Sequence, residues 1–259
     1  MISNINFVSK FKKANLISII IFILSIFLIF FKGLNYGIDF KGGTLIELRT
    51  DKSIKASLIR DSIKSMNLGD INVKKFGKDG DFLIKVEQKN TDKNLIPNIK
   101  KTLSDNLSAD IDFRRVENVG PKVSSELLES SIIAISLALA AMLFYIWVRF
   151  EWQFSLGSII ALFHDVIITL GIFSILSLEI NLSIIAAVLT IVGYSMNDTV
   201  VIYDRIRENI FKYTKISISD VTNLSINETL ARTIITSVTT LLALLSIYIL
   251  GGEILRGFS

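Results

Sequence analysis

The chain has 259 residues, 51% apolar and 20% charged, with a formal net charge of +4 and no cysteine. With a mean hydropathy of +0.54 it is too apolar for an ordinary soluble domain and too charged to lie wholly in lipid, so a membrane bundle carrying a water-exposed domain is expected. Disulfides and thiolate metal sites are excluded, and basic residues at membrane ends are a topological signal that gives no reason to expect nucleic acid as a partner.

Residues 1–13 carry Lys10, Lys12 and Lys13 and read as a cytoplasmic amino terminus. Ala14–Phe31 is uncharged for 18 residues and long enough to cross a bilayer. It exceeds a signal-peptide core and lacks a small-x-small cleavage site before Lys32-Gly33, so a retained first transmembrane helix over 14–31 is expected. Gly37-Ile38-Asp39-Phe40-Lys41-Gly42-Gly43-Thr44 has the wrong spacing for a phosphate loop and leads into a strand pattern. A tight turn is expected there, and nucleotide binding is rejected.

Residues 32–129 read as a small α+β domain outside the membrane. Thr44–Arg49 alternates with period two, as a half-buried strand does. Ser53 is placed to cap a helix running to about Met66. Ile71–Phe76 and Phe82–Glu87 are strands joined through Gly77-Lys78-Asp79-Gly80. A helix over Asp92–Leu107 and a strand over Ile111–Val116 complete the order β-α-β-β-α-β, which suggests a ferredoxin-like sheet under two helices.

Residues 130–259 hold four more apolar runs: Ser130–Val148, Trp152–Leu178, Ile180–Tyr203 and Thr233–Gly252. Residues 204–232 carry Arg205, Arg207, Lys212, Lys215 and Arg232 and read as a cytoplasmic loop, whereas Leu178–Asn181 has no Lys or Arg and reads as outside. The fold class is thus an α-helical membrane bundle with an inserted α+β domain.

Within the fourth run the single charge is Asp198. An ionised carboxylate at membrane depth costs roughly 2.5–3.5 kcal/mol on insertion scales, which marks an ion or proton site unless the residue lies in hydrated headgroups. Tyr194 stands one helical turn away, with Ser195 and Asn197 flanking. The fifth run offers Arg232, Thr236 and Thr239 on one stripe and Thr233, Ser237 and Thr240 on the next. An Asp beside an Arg stays ionised until the Arg moves or water enters, so its proton affinity can switch with conformation. The plainer readings are that Arg232 is an interfacial anchor and that the hydroxyls serve helix packing. His164-Asp165 in the third run is the other polar pair. It reads as an interhelical hydrogen bond, with a proton relay as the alternative. His164 is the only histidine, which excludes a multi-histidine metal site. No nucleophile, base and orienter set is evident, so no enzyme activity is expected.

Several segments in order resemble the SecF family of protein-export membrane subunits: Gly37-Ile38-Asp39-Phe40-Lys41-Gly42-Gly43, Val119-Gly120-Pro121-Lys122-Val123, His164-Asp165, Gly193–Val201 followed by Asp204-Arg205-Ile206-Arg207-Glu208-Asn209, and Arg232–Thr240. The resemblance implies membership of the resistance–nodulation–division superfamily, six membrane helices, and a small periplasmic domain after the first. It implies an inner-membrane protein working with SecD beside the SecYEG channel, with SecA and YajC as further partners. Such a protein would use the proton-motive force to draw a preprotein outward, with protons as coupling ion and no other cofactor. Asp198 and Arg232 match residues implicated in the family's proton pathway, with Tyr194, Asn197, His164, Asp165, Thr236, Ser237, Thr239 and Thr240 as supporting polar groups. Five spans are visible where six are implied, and a truncated sequence is the expected reason. A small-molecule or lipid half-transporter and a non-transporting scaffold are the alternative functions on the same architecture.

Overall fold

A computed structural model describes residues 5–66, 68, 71–75, 78–86, 95–107, 111–251 and 257–259. Contacts divide the chain into Tyr36–Ile133 and a second unit made of Met1–Asn35 with Ala134–Ser259.

In the first unit the period-two pattern becomes strand β1 (Gly43–Arg49), followed by α3 (Ala56–Lys64), β2 (Ile71–Lys75), β3 (Asp81–Val86), α4 (Leu95–Leu107) and β4 (Asp112–Val119). The sheet order is β2–β3–β1–β4, antiparallel throughout, which is the ferredoxin-like arrangement. Ile46, Leu48, Phe82 and Ile84 from the sheet meet Ile59, Ile63, Ile99 and Leu103 from the helices, all fully buried. Helix α3 starts later than Ser53 would set it. The Ile54 N–H bonds to the Asp51 carbonyl at 3.1 Å, so Ser53 lies in a turn and Lys55 takes the N-cap position. The hairpin closes through Gly80 at φ +95°, where a Cβ would lie 2.5 Å from the Thr50 carbonyl oxygen. Residues 76–77, 87 and 92–94, part of the expected hairpin, strand and helix, lie outside the described residues.

The segment expected as a tight turn forms one turn of helix, α2 (Ile38–Lys41), with Ile38 and Phe40 buried. It ends because Gly42 adopts φ +78° while its N–H bonds back to Ile38 at 2.8 Å.

The second unit is helical: α1 (Phe11–Lys32), the later part of α5 (Pro121–Arg149), α6 (Trp152–Leu176), α7 (Leu182–Lys212) and α8 (Ile218–Leu250). These five helices are long and apolar enough to cross a membrane. Helices α1 and α6 are parallel, because the contacts Ser18–His164 and Leu28–Ser174 share one offset of 146 residues. Helices α6 and α7 are antiparallel, with Asp165 against Ser195 and Gly157 against Tyr203. Helices α7 and α8 are antiparallel too, with Tyr194 against Ser237, Arg205 against Glu228 and Asn209 against Ser225.

Residues 204–232, expected as a loop, are mostly helix: α7 continues to Lys212 and α8 starts at Ile218. The charges that end the apolar run do not end the helical period. Ile206 and Val221 are buried, and Ser217 caps α8 by accepting the Asp220 N–H at 3.1 Å.

Candidate functional site

A cavity of about 760 Å³ opens among α6, α7 and α8. Its polar lining comes from His164, Asp165 and Thr169 on α6, from Thr190, Tyr194, Ser195, Asp198 and Thr199 on α7, and from Ser237 and Thr240 on α8. The remaining lining is isoleucine and leucine.

Asp198 stands out by what it lacks. Its Oδ1 atom is buried and has no hydrogen-bond partner among the described residues. A buried carboxylate oxygen needs a donor, a cation or a proton of its own. Helix register identifies what faces it. Tyr194 lies against Ser237, and one turn along the antiparallel pair places Asp198 level with Thr233. The Thr233 hydroxyl oxygen is likewise buried and unpartnered.

Arg232 does not fill the vacancy that the sequence pattern suggests for it. It is exposed, and among the described residues it makes no ion pair with Asp198. The reason is helical phase. Of the two hydroxyl stripes on α8, the one containing Ser237 and Thr240 lines the cavity, and neighbouring Arg232 points elsewhere. Thr239 is exposed and satisfied by its own helix, bonding to Ile235 O at 2.9 Å and Thr236 O at 3.0 Å. Thr236 bonds to Thr233 O at 3.0 Å and stands beside the Tyr194 hydroxyl. That hydroxyl donates to Ser237 Oγ at 3.4 Å. Asn197 is exposed and is not part of the cavity wall.

His164 and Asp165 are joined to one another and to two other helices. Ser18 Oγ on α1 lies 2.5 Å from His164 Nε2, and His164 Nδ1 lies 2.9 Å from Asp165 Oδ1. Ser195 Oγ donates to Asp165 Oδ2 at 2.6 Å. Phe22 stacks on the imidazole with centroids 5.9 Å apart. Ser18 and Phe22 are absent from the sequence reading, because isolated residues in an apolar run carry no periodic signal.

A second polar cluster lies where the end of α7 packs against the start of α8. Asn209, only 1% exposed, donates to Ser225 Oγ at 3.0 Å and Glu228 Oε2 at 2.8 Å. Arg205 bridges to Glu228 at 3.0 Å, while Asp204 accepts from Arg149 at 2.9 Å and Arg207 at 3.0 Å. Its signal was the run Asp204–Asn209, whose charges recur at helical spacing. Among the described residues no group of three His, Asp or Glu side chains could hold a metal ion.

The family model described as protein export membrane protein SecD/SecF, C-terminal, matches residues 99–259, and the SecD/SecF GG motif matches residues 27–54. The protein translocase subunit SecF of Rickettsia bellii is 48% identical over 254 residues, covering 96% of this chain and 84% of the relative. That of Calditerrivibrio nitroreducens is 45% identical over 266 residues, covering 99% and 86%. The crystal structure of SecDF from Thermus thermophilus, a translocon-associated membrane protein, superposes with a TM-score of 0.88 at 34% identity over 98% of this chain. The chain spans 35% of that longer polypeptide. The super-membrane-facing form of SecDF matches with a TM-score of 0.69.

Proposed function

The chain belongs to the SecF family of protein translocase subunits, and we propose that with a SecD partner it uses the proton-motive force to promote preprotein export across the bacterial inner membrane. The observation that carries this reading is the unpartnered, buried Oδ1 of Asp198 in a cavity among the long apolar helices. A buried carboxylate oxygen needs a donor, a cation or a proton of its own, so what faces Asp198 decides which of these it takes. Changing what faces it therefore changes its proton affinity, which is what a proton carrier requires. Arg232 enters as the mobile cation. It neighbours Thr233 on α8, and one residue step is a turn of about 100°, so rotation of α8 would carry the guanidinium toward Asp198.

SecYEG, SecA and YajC belong to this reading as further partners, with the preprotein as cargo. Lys10, Lys12 and Lys13 at the start of α1 and the basic residues from Arg205 to Arg232 support a cytoplasmic amino terminus and a periplasmic segment 32–129.

The test is preprotein uptake by inside-out membrane vesicles with an imposed proton gradient. Stimulation is expected when the vesicle interior, the side assigned to residues 32–129, is acid, and not with the gradient reversed. Asp198→Asn keeps the size and loses the titration, so it should retain basal uptake and lose the stimulated part. Arg232→Ala should lose it too, and Arg232→Lys should keep some, since lysine preserves charge without the planar fork. Wild-type stimulation in Asp198→Asn would remove the proton role.

A further inference from the structure

Four side chains form a hydrogen-bonded chain across three helices: Ser18, His164, Asp165 and Ser195. The proton route proposed above runs through Asp198 and Arg232, and it assigns His164 and Asp165 no step of their own. A bond made only for helix packing needs one donor and one acceptor. Here both imidazole nitrogens and both Asp165 carboxylate oxygens are engaged, and Phe22 holds the ring plane at 11° to its own. The imidazole is thus fixed against a carboxylate whose other oxygen meets the hydroxyl of Ser195.

Ser195 leads to Asp198. The two are three residues apart on α7, so they share a face, and both line the cavity with His164 and Asp165. At about 760 Å³ the cavity has room for water, whose share of liquid volume is about 30 Å³ per molecule, and the lining supplies the two to four polar partners that an ordered water needs.

We infer that His164 and Asp165 form a second proton-binding station, which exchanges protons with Asp198 across the shared cavity beside Ser195. This rests on the reading that Asp198 carries the coupling proton. A proton enters at His164 Nε2, the Nδ1 proton passes to Asp165 Oδ1, and the Asp165 carboxyl then releases it through water to Asp198 Oδ1; the pair returns to its starting charge with the imidazole in its other tautomer, and no co-reactant is needed. The electrostatic surroundings are sparse. Helix α1 presents only Ser18 and Phe22 here, its lysines lying at its ends. Helix α7 presents Asp198 and Tyr194, with Tyr203 farther along. Helix α8 presents hydroxyls, with Arg232 exposed. Arg149 of α5 is occupied by Asp204. The ionisable side chains that line the cavity are therefore His164, Asp165, Tyr194 and Asp198.

The test is infrared titration of the protonated carboxyl band, on the full chain in lipid vesicles, with Asp198→Asn identifying the Asp198 component. Asp165→Asn removes a like charge, so the pH of half-loss of that component should move toward acid by about tenfold in proton concentration. His164→Gln keeps a donor to Asp165 but can never become cationic, so the same midpoint should move toward alkali. Opposite shifts support the station, because a general loosening of the bundle would move both variants the same way. Equal-signed shifts, or midpoints within twofold of wild type, overturn it while leaving Asp198 as a proton carrier. If no component assigned to Asp198 titrates, this inference and the proton reading of Asp198 both fall.

Discussion

The sheet unit and the helical bundle treat buried polar atoms in opposite ways. In the sheet, Asp81 is paired across strands with Arg49, which grips both carboxylate oxygens at 2.5 and 2.7 Å, and Arg114 stands 3.9 Å away. In the bundle, Ser158 Oγ, Asp198 Oδ1 and Thr233 Oγ1 are buried without partners, and no such side-chain atom occurs among the described residues of the sheet unit. An unpaired polar atom costs more in lipid than beside water, because no solvent can reach it. The open valences therefore sit where they are most expensive. Closed pairs build a scaffold, whereas the unpartnered atoms of the bundle leave hydrogen-bonding capacity unfilled.

The largest expected effect comes from closing the space on which the bundle depends. Gly171 of α6 faces Ser25 of α1, and a Cβ built on it would lie 2.5 Å from Ser25 Oγ and 2.9 Å from its Cα. Backbone lies behind that contact, so the helices must separate to admit a side chain. Gly171→Leu should leave little monodisperse protein after purification in detergent. Gly171→Ala should lower the melting temperature, in keeping with the roughly 1–3 kcal/mol cost of overpacking. A leucine variant that purified and melted like wild type would show that the α1–α6 crossing can slide, and the bundle would then be less tightly specified than the sheet.

A smaller effect is expected where the bundle is closed like the sheet. Asn209→Leu removes both donor bonds to Ser225 and Glu228 at a position of near-total burial. Glu228 keeps Arg205 at 3.0 Å, so the charge is not stranded. The loss should be about 1–3 kcal/mol, read as a lower melting temperature with no change in the response of Asp198 to pH. A variant as stable as wild type would mean that this cluster is bystander chemistry.

Legibility in the sequence follows the same division. Strand β1 is legible because Ile46 and Leu48 alternate with Glu47 and Arg49, and a half-buried sheet writes that period directly. Membrane helices write their presence but not their ends: Asp204 and Arg205 broke the hydropathy of α7 while its backbone ran on to Lys212. At the site, Asp198 and His164-Asp165 were visible as charges among apolar residues. Their partners were not, because partnership depends on helix rotation. Spacing alone could not decide whether Arg232 or Thr233 faces α7, a difference of one residue. Ser195 was visible only as a neighbour of Asp198, and its bond to Asp165 required the α6–α7 register.

The smallest expected effect tests the closed pair of the sheet. The Arg49 guanidinium beside Asp81 holds its carboxyl below the ordinary carboxylate range, against the opposing influence of burial. The Asp81 side chain is 8% exposed but that of Arg49 is 38% exposed, so solvent screens the pair and its net worth is modest. For a carboxyl depressed on folding, the unfolded chain binds the proton first as acid is added. The stabilisation is therefore complete above the unfolded value of about 3.9 and disappears as pH falls through the lower folded value. Amide hydrogen exchange in β1 and β3, corrected for intrinsic rates, should show protection in the wild type declining as pH falls below about 4. Asp81→Asn should have lower protection at neutral pH and a flatter profile through that window, because the amide cannot titrate. Added salt should narrow the gap between the two proteins at neutral pH, since the Arg49 side is open to water. Parallel profiles for the two proteins would show that Arg49–Asp81 contributes shape and no measurable pH dependence. The contrast with the bundle would then rest on the unpartnered atoms of Ser158, Asp198 and Thr233.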